Sequence, residues 1–211
     1  SSDLIEAVTI SRRTENLEHV TNYTPKSPTE INSELKNNIP LMFGSALYDK
    51  AKKKYWEKEH VKNKPFIIAI ADFHDTMSMT WTFNSLVEYL YGYKYDKHEY
   101  TDDGKLIIHP VKIDFYEKEN GTQIPAGFLL DENNKNISAI LFSSTATLSK
   151  FNRIGKQAGM GSGNNILMRE MIIYNHDPNA VEALFKSYKV DENSNETWSE
   201  GVIIYHNPYA I

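Results

Sequence analysis

A chain of 211 residues, 40% hydrophobic and 24% charged, has the length and composition of a folded domain with a sizeable core. It contains no cysteine, which excludes disulfides and thiolate zinc sites, leaves oxygen and imidazole as the only metal ligands, and fits a reducing, cytoplasmic setting. A formal charge of −5 gives no global basic field for nucleic acid. No apolar run approaches the roughly 20 residues of a spanning helix, so no membrane partner is expected.

Leu4 to Ile10 reads as a strand with apolar positions on both faces, internal to a sheet. Ser1 to Glu6 lacks the basic and apolar zones of a signal peptide. A domain seldom opens on a core strand, so the chain is expected to be a fragment of a longer natural protein. Residues 11 to 38 are polar, with a short helix starting from the cap-like Ser27-Pro28-Thr29-Glu30. Phe43, Leu47, Ala51 and Tyr55 recur at four-residue spacing and predict a helix from about Phe43 to His60, made basic by Lys50, Lys52, Lys53, Lys54 and Lys58.

Phe66 to Ala71 is a continuous apolar run of buried-strand length. Trp81 to Tyr91 predicts a helix closed by Gly92. Lys105 to His109 reads as one arm of a peripheral hairpin entered through Asp103-Gly104. Ile137 to Phe142 is a further strand, followed by a Ser-, Thr- and Gly-rich stretch from Ser143 to Asn165. The last two strands lie near Leu167 to Tyr174 and Gly201 to Tyr205. No linker divides the chain. These elements predict one α/β domain, with α+β as the alternative, in which a mixed central sheet of at least five strands is flanked by the helices near 43–60 and 81–91.

Glu6 is the most suggestive single residue, because a carboxylate in an apolar strand must be paired, bound to a metal, or near the sheet's end. Lys50 and Lys54 fall on or beside the inward face of the basic helix. There a lysine either steadies a phosphate and helps activate water, or snorkels to solvent. Asp72-Phe73-His74-Asp75 follows the buried strand, where ligands collect in open α/β sheets. Asp72 and His74 suit Mg, Mn or Zn, while Asp72 or Asp75 capping the next turn is the competing account. His176-Asp177 and His206-Asn207 each precede proline, which turn chemistry explains. Gly159 to Asn165 lacks a P-loop lysine, and no Gly-x-Ser-x-Gly elbow is present.

Several segments together resemble a group of uncharacterised bacterial proteins. They are Phe43-Gly44-Ser45-Ala46-Leu47, Lys64 to Asp75, Ser78-Met79-Thr80-Trp81, Ile137 to Ser143, Lys150-Phe151-Asn152-Arg153, Trp198-Ser199-Glu200-Gly201 and His206-Asn207-Pro208. Some members carry the label of a glycosaminoglycan attachment site, which a short Ser-Gly-x-Gly pattern triggers, and Ser162-Gly163 lies in a similar stretch. Ile5-Glu6-Ala7-Val8-Thr9 further resembles the acidic strand of the PD-(D/E)XK nuclease-like fold, also called restriction-endonuclease-like.

That resemblance implies a Mg or Mn held by Glu6 and by an Asp from a preceding strand, a lysine that positions water, and DNA as partner. The chain departs from the pattern in two places. Val8 occupies the lysine position, leaving Lys50 or Lys54 to supply the cation, and no Asp strand precedes Glu6. Three expectations follow: a divalent-metal nuclease or nuclease-derived domain; a non-catalytic nucleic-acid- or protein-binding module on a degenerate nuclease core; or another metal-dependent hydrolase using Asp72 and His74.

Overall fold

The structure, a computed structural model, describes residues 4–11, 27–74, 82–118, 120–161 and 164–211. The protein is mixed α/β, and its contacts cluster in two compact units. The first comprises residues 1–94, 110–144 and 203–211, the second residues 95–109 and 145–202.

The first unit is built on a four-stranded sheet. Its strands are β1 (Leu4–Ser11), β2 (Phe66–Phe73), β7 (Ala139–Ser143) and β10 (Val202–His206), in that spatial order. β1 runs parallel to β2, and β2 parallel to β7. Two parallel neighbours on the same side of their predecessors require crossovers that step in one direction, and right-handed crossovers then place their helices on one face. Those helices are α2 (Ile39–Ala51) and α3 (Phe83–Tyr91), which pack on each other. Phe43 and Leu47 of α2 and Leu86, Tyr89 and Leu90 of α3 share one core with Phe66, Ile68 and Ile70 of β2 and Ile140 and Phe142 of β7. The Phe43 and Phe142 rings meet edge to face at 6.3 Å.

Helix entry follows the sequence. Ser27 accepts the Glu30 N–H, and the Glu30 carboxylate returns a bond to the Ser27 N–H, a capping box that starts α1 (Pro28–Ser33). A π-helical turn, Glu34–Asn38, joins α1 to α2. The helix expected to run to His60 stops at Ala51. Lys54 takes φ 45°, and a single 3₁₀ turn, Tyr55–Glu57, follows. A left-handed residue breaks the i→i−4 ladder, although Tyr55 keeps its apolar contact by packing on Phe66 at 6.0 Å. Gly92, at φ 68°, closes α3 as expected. The expected start of that helix at Trp81 lies outside the described residues.

β1 differs from its expectation. Among the described residues it is the edge strand, with Leu4, Glu6, Val8 and Ile10 turned toward the helices and Ile5, Ala7 and Thr9 exposed. Edge position removes the need for apolar residues on both faces, and the sheet period of two does the rest. The Asp103-Gly104 turn joins β3 (Tyr93–Tyr100) to β4 (Leu106–Lys112), as the sequence predicts. A small pair, β5 (Phe115–Glu117) and β6 (Gln123–Pro125), runs antiparallel.

The strand expected near Leu167 to Tyr174 forms, but outside the central sheet. In the second unit β8 (Met168–Ile173) pairs antiparallel with β9 (Leu184–Lys189). β9 escaped the sequence reading because Leu-Phe-Lys-Ser-Tyr-Lys contains no β-branched residue, whereas β8 ends on Ile172-Ile173. α4 (Leu148–Gln157) occupies the stretch read as a loop or short helix, capped by Thr147, which accepts from the Lys150 N–H.

Candidate functional site

Glu6 stands level with Ile68 in the β1–β2 ladder, and Ile10 level with Asp72. Four strand residues span roughly 13 Å, so Glu6 and Asp72 share the helix-facing side of the sheet without sharing a site. The sequence-based metal candidates Glu6, Asp72 and His74 therefore divide into two places.

At the first place, Lys50 in the last turn of α2 forms an ion pair with Glu6. The pairing follows from the helix period: with Phe43, Leu47 and Ala51 buried, Lys50 flanks the buried stripe and its stem reaches the inner face of β1. Lys54, the other expected cation, lies beyond the end of the helix. It pairs instead with Glu57 at 3.5 Å on the surface, so it is not part of this place.

The second place is the carboxyl end of β2. Asp72 is fully buried and His74 is 5% exposed. His74 Nδ1 lies 2.6 Å from Asp72 Oδ1, and the His74 backbone N–H donates to the same oxygen at 3.0 Å. The carboxylate thus fixes both the ring and the backbone that carries it, consistent with the Nδ1–H tautomer. The second candidate cap, Asp75, lies outside the described residues. Ile10, across the ladder from Asp72, lines a cleft of about 1270 Å³ together with Thr9, Met42, Ser45, Asp49 and Asn120. The buried pair therefore lies one strand from a concave surface, at the sheet end where α/β proteins place their ligands.

A larger set of charges went unread in the sequence and lies within the second unit. Lys150, 3% exposed, donates to the carbonyls of Trp198 at 2.9 Å and Glu200 at 2.6 Å, and to Thr145 Oγ1 at 3.3 Å. Arg153 grips Glu196 with two parallel bonds, Nε to Oε2 at 2.7 Å and Nη2 to Oε1 at 2.8 Å. Arg169 pairs with Glu200, and its Nη1 donates to the Tyr188 hydroxyl at 2.8 Å. Burial pushes the Lys150 ammonium below its usual range, against the pull of Glu196 and Glu200. Burial would raise Glu196, but the hydrogen bonds and charge of Arg153, with the charges of Arg169 and Lys150, outweigh it and hold the carboxyl low. Every charge here meets an opposite charge or a carbonyl, the pattern of a structural clamp on the 196–200 loop. The signal available in sequence was the polar stripe Lys150, Arg153 and Gln157, at i, i+3 and i+7 on one helix.

The remaining candidates resolve as turn chemistry. Asp177 accepts the Asn179 N–H at 2.9 Å and Asn207 accepts the Tyr209 N–H at 2.8 Å. Asn207 also donates to the Asn134 and Ile137 carbonyls at 3.0 and 2.9 Å, tying the chain end to the start of β7. Gly159 and Gly161 take positive φ, while Ser162 and Gly163 lie outside the described residues. No family model, curated protein or solved structure matches this chain. Among the described residues no helix is long and apolar enough to cross a membrane.

Proposed function

We propose that the first unit is the core of a hydrolase in which Asp72 and His74 work as an acid–base pair at the carboxyl end of the central strand. The observation that carries this reading is the 2.6 Å contact between two buried side chains, Asp72 Oδ1 and His74 Nδ1. With Asp72 Oδ1 accepting the hydrogen bond from Nδ1–H, Nε2 is the ring nitrogen left to take up a proton. When Nε2 takes a proton from an attacking water, the same carboxylate stabilises the imidazolium that forms. Mg or Mn would need further ligands: among the described residues no three His, Asp or Glu side chains gather to hold an ion.

The test is hydrolysis of a chromogenic carboxylic ester, a chromogenic phosphate monoester and plasmid DNA by the full chain, beside Asp72→Asn and His74→Gln variants whose folding is checked by circular dichroism. Loss of kcat/KM by about a hundredfold or more in both folded variants is expected. A folded wild-type chain that turns over none of the three, or variants that keep full activity, refutes it.

The Glu6–Lys50 ion pair favours a second reading: a divalent-metal nuclease with a restriction-endonuclease-like core, or a nucleic-acid- or protein-binding module derived from one. Glu6 would hold Mg or Mn with a carboxylate from beyond the described residues, and Lys50 would replace the lysine that Val8 displaces. Plasmid cleavage in Mg or Mn that is lost in Glu6→Gln but kept in His74→Gln assigns this reading, and the reverse pattern assigns the first. A folded chain that binds plasmid DNA without cutting it assigns the module.

A further inference from the structure

Helix α4 is packed with its polar side inward. Lys150, Arg153 and Gln157 bond the backbone of Trp198 and Glu200 and the Glu196 side chain and carbonyl within the second unit. Helical spacing puts Leu148, Phe151, Asn152 and Gly155 on the opposite side, where Leu148 is 82% and Phe151 62% exposed. Trp198, 56% exposed, lies against Phe151 with ring centroids 4.8 Å apart. Met160, 68% exposed, borders Gly155, its Cβ 4.0 Å from where a Cβ there would stand. An amphipathic helix normally buries its apolar stripe, and this one shows it to solvent. We propose that this face docks on the same face of a second copy, making the chain a two-fold dimer.

Gly155 points to a second copy of α4. A glycine inside a helix is destabilising relative to alanine. Gly155 has no positive φ, and Met160, at an ordinary contact distance, is the one neighbour its Cβ would meet among the described residues. Nothing described within the chain requires glycine there, whereas a partner's side chain needs the space. Phe151 and Gly155 stand one turn apart on the same stripe. Two antiparallel α4 helices related by a two-fold therefore set each Phe151 over the other copy's Gly155, a knob and a hole carried by one surface. None of the side chains of this face is charged, so two copies of net charge −5 meet here with no like charges opposed. Lys150 holds the Trp198 carbonyl at 2.9 Å, which positions the aromatic pair before the partner arrives. Leu148, Phe151, Met160 and Trp198 leave on the order of 500 Å² open in each copy. Pairing would remove on the order of 1,000 Å² from water, the least that a specific interface needs, so a weak, reversible dimer follows.

Sedimentation equilibrium of the full chain over a range of concentrations tests the dimer. A monomer–dimer equilibrium with a roughly micromolar Kd is expected. Phe151→Glu and Leu148→Glu should each weaken it at least tenfold, because a carboxylate would be buried in the seam. Circular dichroism checks folding, and the high exposure of Leu148 keeps its variant informative if Phe151→Glu unfolds. Gly155→Gln separates the interface from the monomer. Diluted to where wild type is monomeric, it should melt no lower than wild type, yet dimerise at least tenfold more weakly. A chain that is monomeric at every concentration, or dimers as tight in the three variants as in wild type, overturns the proposal. So does a monomer that binds phosphatidylcholine–phosphatidylserine vesicles and loses them in Phe151→Glu, which would assign the face to a membrane. The face is independent of the acid–base pair: dimerisation should be unchanged in His74→Gln even where hydrolysis is lost.

Discussion

Replacing Arg153 with methionine removes the guanidinium fork from Glu196 while keeping an apolar stem of similar length. Glu196 is 2% exposed in its side chain, and its carboxylate receives two bonds from Arg153. Breaking a buried pair by deleting one partner costs about 3–5 kcal/mol, because the survivor stays charged and desolvated. Two facts place the expected loss at the lower end. Arg169 Nε remains 3.8 Å from the same Glu196 oxygen, and Arg153 itself is 15% exposed. A loss of about 3 kcal/mol is therefore expected, read as a lowered urea midpoint in tryptophan fluorescence and circular dichroism and extrapolated linearly to water. Removing both charges in Arg153→Met/Glu196→Gln should cost less than the sum of the single variants by about 2 kcal/mol, since no stranded carboxylate remains. An Arg153→Met chain within about 0.5 kcal/mol of wild type, the ordinary range for surface substitutions, would refute the clamp, as would strict additivity.

The same clamp sets an acid limit. Glu196 and Glu200 are both held below the usual carboxylate range, so their contribution is full above the unfolded-state value and is lost as pH falls through the folded one. Urea midpoints should drop between about pH 5 and about pH 3, and less steeply in Glu196→Gln; an equal slope in the two proteins would count against the clamp. Gly44→Ala gains about 1 kcal/mol of helix propensity, but the new Cβ would meet the Tyr89 Cζ and hydroxyl at 3.0 Å. Tyr89 is fully buried and stacked on Phe128 at 6.3 Å. Overpacking of about 1–3 kcal/mol should therefore win, and a raised melting temperature would show that the ring yields. Lys54→Gly should leave stability unchanged or slightly raised, because it relieves a left-handed residue at the loss of an exposed ion pair. It should also leave any Glu6-dependent cleavage intact, and loss of that cleavage would return Lys54 to the site.

The elements that the sequence determined are those whose information is local. The apolar run Phe66 to Ala71 made a strand because six consecutive apolar residues suit a position covered on both sides by other strands. The capping box at Ser27 started a helix, Gly92 ended one, and Asp103-Gly104 turned a hairpin, each through a backbone requirement met within four residues. Glu6 and Lys50 were both marked as candidates from burial and spacing, but their pairing across 44 residues was settled only when α2 packed over β1. Strand order, the edge position of β1, the departure of β8 from the central sheet and the gathering of Lys150, Arg153, Arg169, Glu196 and Glu200 belong to the tertiary structure. Each depends on which faces meet across long stretches of chain, and side-chain identity at one position carries no record of the partner it will find.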